Sequence, residues 1–287
     1  RQAKEVLGQQ LNNHLNHVAA SVRLELEERL EAKLNDTIAG QRSRRGALVG
    51  RQEQRESIAA QMRAGARLVS MVGTAGVGKT RLALELAEDL RGEVERALFC
   101  DLTEATDALG VARLVSRAMD VRLRDHNPLG HLTELLGEQP TLLIMDNLEQ
   151  VLGSVGSICQ EWIDEIGDLR ILATSRAKLN IAAETAILLK PLTLLESMEL
   201  FAKRGQTANS RFDLSEENRA TVSALVQKLD GLPLAIELAA ARLNIMNLDD
   251  IAGRLEQRFS LLRSRGRDAQ ALQGALDWSW DLLAPWA

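Results

Sequence analysis

Apolar residues along the first 38 positions recur every three or four residues: Leu7, Leu11, Leu15, Val18, Val22, Leu26, Leu30 and Leu34, with Glu, Arg, Lys and Asn between them. That period predicts one long amphipathic helix. Its steps are mostly four, so the three–four alternation of a coiled coil is not kept. A helical linker, a packing arm or a coupling element to a preceding domain is expected there. A basic, glycine-bounded hinge follows at 39–46 and carries Arg42, Arg44 and Arg45. From that point the pattern changes. Short, nearly continuous apolar runs at 67–72, 97–101, 141–145, 170–174 and 186–189 predict strands, with helical stretches between most of them. Such alternation predicts a parallel sheet covered by helices on both faces. Beyond Pro191 the strand pattern stops, and residues 195–204, 216–229, 233–243 and 249–262 carry helical periodicity. A second, all-helical unit is expected, and a last amphipathic stretch runs from 271 to 283.

The strand at 67–72 is followed by Gly73-Thr74-Ala75-Gly76-Val77-Gly78-Lys79-Thr80, which fits G-x-x-x-x-G-K-[ST], and then by a helix over 79–90. Strand, glycine-rich turn and helix are the context that a phosphate-binding loop requires. Glycines let backbone N–H groups converge on phosphate oxygens with no Cβ in the way. The helix amino terminus turns its positive end to the same anion. Lys79 is expected to reach the β- and γ-phosphates of a nucleotide, the Thr80 hydroxyl to ligate Mg²⁺, and Arg81 to stand next to them in the opening helix. Such a site needs an acid at the end of a buried strand, and Leu142-Leu143-Ile144-Met145-Asp146 supplies it as a second metal-orienting ligand. A strand-terminal Asp can also serve a turn. Asn147 follows where a second acid would act as general base, and an amide cannot take a proton. A base must therefore be Glu149, a water network, or absent. Ala173-Thr174-Ser175-Arg176 closes another buried strand with a charged, forked donor, either a reporter on the γ-phosphate or a surface arginine in a turn.

Composition narrows the classes. The 287 residues suggest about two domains, and the hydrophobic fraction of 45% suffices for a real core. Tyr is absent and eight aromatics are present, four Phe and four Trp, which argues against stacking platforms for single-stranded nucleic acid. The net charge of −5 gives duplex binding little support beyond the short arginine cluster. Cys100 and Cys159 sit in apolar runs and read as buried thiols, not a disulfide framework. His14 and His17, one turn apart, lack further ligands and read as a solvated face. No apolar run is long enough to span a membrane, so a reduced, cytoplasmic protein with no membrane partner is expected. The chain begins with Arg, not Met, and stops just after Trp286, which suggests an excerpt of a longer polypeptide.

Taken together, residues 46–287 resemble the NB-ARC/AP-ATPase branch of the STAND signalling NTPases, particularly bacterial regulator-type members. Leu48-Val49-Gly50-Arg51 is similar to the motif whose backbone contacts adenine in that family, so the resemblance places Leu48, Val49 and Arg51 at the base. Residues 143–149 resemble the bacterial form of the acidic strand, and 173–176 resemble the sensor strand, which makes Arg176 a γ-phosphate sensor. Gly231-Leu232-Pro233-Leu234, followed by Ala-Ile-Glu-Leu-Ala, is the most distinctive element; its Pro is implied to pack beside the base and sugar. Leu276-Asp277-Trp278-Ser279-Trp280 resembles the start of a winged helix. Apolar periodicity sets an amino-terminal helix or linker over 1–40, and the resemblance implies a P-loop nucleotide-binding domain over 41–190, a helical domain over 191–262 and a truncated winged helix from 263. It implies an ATP/ADP switch with Mg²⁺, ADP holding a closed monomer and ATP permitting self-association, hydrolysis slow or absent, and effector and sensor domains outside this stretch. A turnover ATPase, a DNA-binding regulator and an oligomerisation scaffold with a vestigial site are the rival readings.

Overall fold

The computed structural model describes residues 48–124 and 126–262. The helix expected over 1–38, the arginine-bearing hinge and the winged-helix stretch at 271–283 lie outside the described residues. Five strands form one sheet: β1 (Leu68–Val72), β2 (Arg96–Asp101), β3 (Thr141–Asp146), β4 (Leu169–Ser175) and β5 (Glu184–Leu188). Their order is β2-β3-β4-β1-β5 and every neighbouring pair is parallel. The helix α1 (Gln52–Arg63) precedes β1; parallel strands need crossovers, and the helices α2 (Lys79–Asp89), α3 (Ala108–Ala118), α4 (Pro128–Leu136) and α5 (Leu152–Glu165) supply those from β1 to β4.

The expected two-sided burial is met. All residues of β1 and β3 are buried. Successive side chains of a strand point to opposite faces, so Leu143 and Met145 join one core with Trp162 of α5, while Leu142 and Ile144 join another with Leu82 of α2. Ile58, Ala59 and Met62 of α1 pack on that second core, and Arg55 pins α1 to α2 through a two-pronged contact with Asp89. Both cysteines are buried, and desolvation pushes each thiol up to about 12, as expected for thiols placed as small apolar side chains.

After β5 the chain passes through Pro191 into the helical unit: α6 (Leu194–Ala208), α7 (Arg219–Lys228), α8 (Pro233–Ala240) and α9 (Leu248–Leu262). Thr193 and Glu196 form a reciprocal capping box that starts α6. The helix expected over 233–243 is shorter as an α-helix, because after Ala240 the chain tightens into a 3₁₀ turn at Ala241–Asn244. The core of this unit includes Phe201, Leu225, Ile236 and Leu243, and also Val49 and Leu192 from its borders. Gly231 precedes α8 with a φ of 63°, and a Cβ there would come within 2.5 Å of the Leu192 carbonyl oxygen. Only glycine permits that approach, and the Leu192 N–H donates to the Gly231 carbonyl at 2.9 Å in return. This clasp fixes where α8 begins, with Pro233 beside Gly78 of the loop after β1.

Candidate functional site

The site lies beyond the carboxyl ends of the strands, where open parallel sheets place their ligand crevice. β1 turns through residues 73–78 into α2. Gly76 and Gly78 have φ of 75° and 97°, left-handed conformations that a side chain strains. Gly78 is the N-cap of α2, so the first N–H groups of a helix with seven buried residues face the cleft. Lys79 curls back over its own loop, its Nζ donating to the carbonyls of Gly73 at 2.9 Å and Thr74 at 3.1 Å. Burial holds the ammonium below the ordinary lysine value. Glu149 and Asp146 act against that shift, and Arg176 adds to it.

Because β4 separates β1 from β3, side chains at the ends of three strands converge. Asp146 is only 1% exposed. It accepts from the Thr80 hydroxyl at 2.7 and 3.0 Å, from the Thr174 hydroxyl at 2.5 Å, and from Asn147 Nδ2 at 3.3 Å. Three donors on one buried carboxylate compensate its desolvation. The Thr80 and Asp146 oxygens are two hard ligands separated by about the O···O edge of an octahedron with ~2.1 Å bonds, so they fit Mg²⁺. Dedicated cages are not needed for this ion, and among the described residues no group of three or more His, Cys, Asp or Glu could hold a metal by itself.

Asn147 adopts a left-handed conformation with φ of 62°, which Asn tolerates. Its Nδ2 also donates to Asp101 Oδ1 and Thr103 Oγ1, each at 3.1 Å. The amide thus bridges the terminal carboxylates of β2 and β3. A third acid in its place would add like charge where a donor is needed. Glu149, two residues on, faces Arg176 with Nε···Oε1 of 3.6 Å.

The opposite wall belongs to the helical unit. The Leu234 N–H donates to the Gly76 carbonyl at 3.2 Å, a direct backbone bond between α8 and the phosphate loop. Pro233 lies beside Gly78, whose Cβ position would be 3.9 Å from Pro233 Cγ. Arg81 Nη1 and Arg204 Nε both donate to Glu237 Oε1 at 3.0 Å. Between the walls is a cleft of about 720 Å³, a volume within the usual range for small-molecule sites.

Of the residues singled out from the sequence, Ala75, Gly76, Gly78, Lys79, Thr80, Arg81, Glu149, Arg176 and Pro233 line this cleft. Asp146 lies beneath it, reached through Thr80. Gly73, Thr74 and Val77 shape the loop without lining the cleft. Leu48 packs on the core shared by α1 and α2, and Val49 packs in the helical core. Arg51 runs beneath the loop, with Nη2 donating to the carbonyls of Val77 at 2.7 Å and Lys190 at 2.8 Å, while its backbone N–H donates to Glu196 Oε1 at 2.8 Å. Burial lowers its pKa, and Glu196 opposes that. Sequence reasoning missed Asp101, Arg204 and Glu237. Asp101 ends an apolar strand just as Asp146 does, and Glu237 stands four residues after Pro233, hence on the same helical face.

This sheet order, loop and buried acid define an AAA-type P-loop NTPase fold. Residues 62–183 match a family model described as an AAA domain. Over 226 residues the chain is 36% identical to a protein of Mycobacterium tuberculosis named as an HTH-type transcriptional regulator, an alignment covering 76% of this chain and 25% of that protein. An uncharacterized protein of the same species is 31% identical over 225 residues, covering 76% of this chain and 57% of that one. The chain therefore spans about a quarter of the length of the first relative and just over half of the second. Among solved structures, Cdc6p from Pyrobaculum aerophilum aligns with a TM-score of 0.54 at 14% identity, covering 74% of this chain and 64% of that one. PCH-2 of C. elegans aligns with a TM-score of 0.51 at 12% identity, covering 74% and 71%. These two likenesses concern the fold alone. Among the described residues no helix is long and apolar enough to cross a membrane.

Proposed function

We propose that this chain is the nucleotide-binding switch of a STAND-type signalling NTPase of the NB-ARC/AP-ATPase kind, taking ATP or ADP together with Mg²⁺. The observation that carries the reading is the two-walled cleft. One wall is a phosphate loop with its lysine and buried acid; the other is a helical unit bonded to that loop through Leu234 and Gly76. A ligand between two packed units changes the contacts of both, which is what a switch requires. Lys79 and the amino terminus of α2 bind the phosphates, Thr80 and Asp146 hold the metal, and Arg176 contacts the γ-phosphate that distinguishes ATP from ADP. Bound Mg²⁺ supplies charge neutralisation on the phosphate oxygens. The ATP state is then expected to expose surface for self-association, with effector and sensor domains lying elsewhere in a longer protein.

Slow hydrolysis follows from the groups near the acid. Asn147 is held as a donor between Asp101 and Asp146, and Glu149 faces Arg176. Neither arrangement offers an unengaged base to an attacking water. Steady-state turnover of ATP with Mg²⁺ is expected well below about one per second. A rate at or above that level, abolished by Glu149→Gln, would instead make the protein a turnover ATPase. The mycobacterial relative's name as an HTH-type transcriptional regulator supports a DNA-directed output for the full protein, through parts other than this cleft.

A further inference from the structure

The cations of the cleft lie close to carboxylates that the chain itself supplies. Arg176 faces Glu149, and Lys79 feels both Glu149 and Asp146. Arg81 and Arg204 share Glu237. This last group differs from the others because its members come from α2, α6 and α8, so it ties the sheet unit to the helical unit. It is also sheltered: the side chains of Arg81 and Arg204 are 14% and 22% exposed, and that of Glu237 is 30% exposed. Two guanidiniums at 3.0 Å from one oxygen repel each other and need an anion between them. A phosphate oxygen can occupy the same position, belongs to a polyphosphate that carries several negative charges, and suits the forked arginine donors.

We propose that Arg204 is a second nucleotide-contacting residue, delivered by the helical unit, and that Glu237 is an internal stand-in for phosphate. Glu237 holds Arg81 and Arg204 together, and the inner phosphates of a bound nucleoside diphosphate or triphosphate replace it. The inference rests on the adenine-nucleotide reading above. Backbone N–H groups of a phosphate loop cradle the α- and β-phosphates, while its lysine reaches the β- and γ-phosphates. Arg81 is one residue further into α2 than Thr80, and it faces α6 and α8, whereas Arg176 lies beyond β4. The Arg81–Arg204 pair therefore serves the phosphates that ADP and ATP have in common. Exchange of one anion for another at Arg204 ties the position of α6 to occupancy of the cleft, with no contact to the γ-phosphate required.

Calorimetric titration of ADP and of ATP, each with Mg²⁺, into the nucleotide-stripped 287-residue chain tests this. Arg204→Ala is expected to weaken ADP and ATP alike, by about tenfold, and Arg204→Lys to recover part of the loss. Glu237→Gln keeps the shape, removes the competing charge, and is expected to tighten both nucleotides severalfold. A purely structural triad predicts otherwise: lower melting temperatures with unchanged dissociation constants, or weaker binding in Glu237→Gln, and either result overturns the proposal. Weakening confined to ATP would also overturn it, by placing Arg204 at the γ-phosphate. Should Arg204→Ala fail to fold, Arg204→Lys and Glu237→Gln decide between the same outcomes. Wild-type binding that is lost in Lys79→Ala but indifferent to Arg204 and Glu237 sinks this inference alone. Wild type that binds neither nucleotide sinks the nucleotide reading beneath it.

Discussion

Lys79→Ala is expected to weaken ADP and ATP binding by at least about 100-fold while leaving the melting temperature close to that of the wild type. The affinity loss follows from chemistry. A buried ammonium whose hydrogen-bond acceptors among the described residues are the Gly73 and Thr74 carbonyls can exchange them for phosphate oxygens. Charge-assisted bonds of that kind contribute roughly 3 kcal/mol in total, which corresponds to about two orders of magnitude in affinity. Stability should hold because the side chain lines the cleft and its removal takes a charge out of a buried position. The two carbonyls it leaves behind can turn to water. Calorimetric titration paired with a thermal melt checks both halves of the expectation. Unchanged affinity would mean that the loop no longer serves phosphate and would favour a scaffold role.

Arg51→Ala has the opposite profile: a large stability effect, with any loss of nucleotide affinity following from it. Arg51 is 3% exposed and its guanidinium joins the phosphate loop at Val77 to Lys190, two residues past the end of β5. Truncation leaves two carbonyls without their donor, at about 1–3 kcal/mol each before relaxation, and opens a void under the loop. A cost of roughly 3 kcal/mol is expected, which lowers the melting temperature by about 6–12 °C for a chain of this size. The Glu196 contact survives, because it is made by the backbone N–H. Arg51→Lys should recover less than half, since an ammonium on a shorter reach cannot fork to both carbonyls in the same geometry. Melting of the three proteins side by side is the check, and a shift under about 2 °C for Arg51→Ala would contradict the anchoring role.

Much of this architecture is legible in the chain. Runs such as Leu142–Asp146 announce a buried strand ended by an acid, and the loop at 73–80 announces its ligand class, because few other sequences place glycines and a lysine between a strand and a helix. The β-strand bounds moved by a residue or two; β5 starts earlier and ends earlier than its apolar run, yet the Leu189 N–H still donates to Val72. Other features had weaker signals. α1 buries only Ile58, Ala59 and Met62 along its length, so its period is faint amid Gln, Glu and Arg. The side chain of Arg51 could not be placed from the sequence, since arginine usually faces water, and only the fold brings Val77 and Lys190 to it. Resemblance put this segment at the base through its backbone; the structure adds an anchor beneath the loop. Glu237 and Arg204 are separated by 33 residues, and no local pattern says that they meet.

On the proposed function, this cleft holds an adenine nucleotide with its phosphates on Lys79 and keeps it without rapid turnover. Denaturing the purified protein and chromatographing what it releases tests that most directly. ADP is expected in near-stoichiometric amount from the wild type, and none from Lys79→Ala. A wild-type supernatant free of adenine nucleotide, from protein that also fails to take up added ADP, would contradict it.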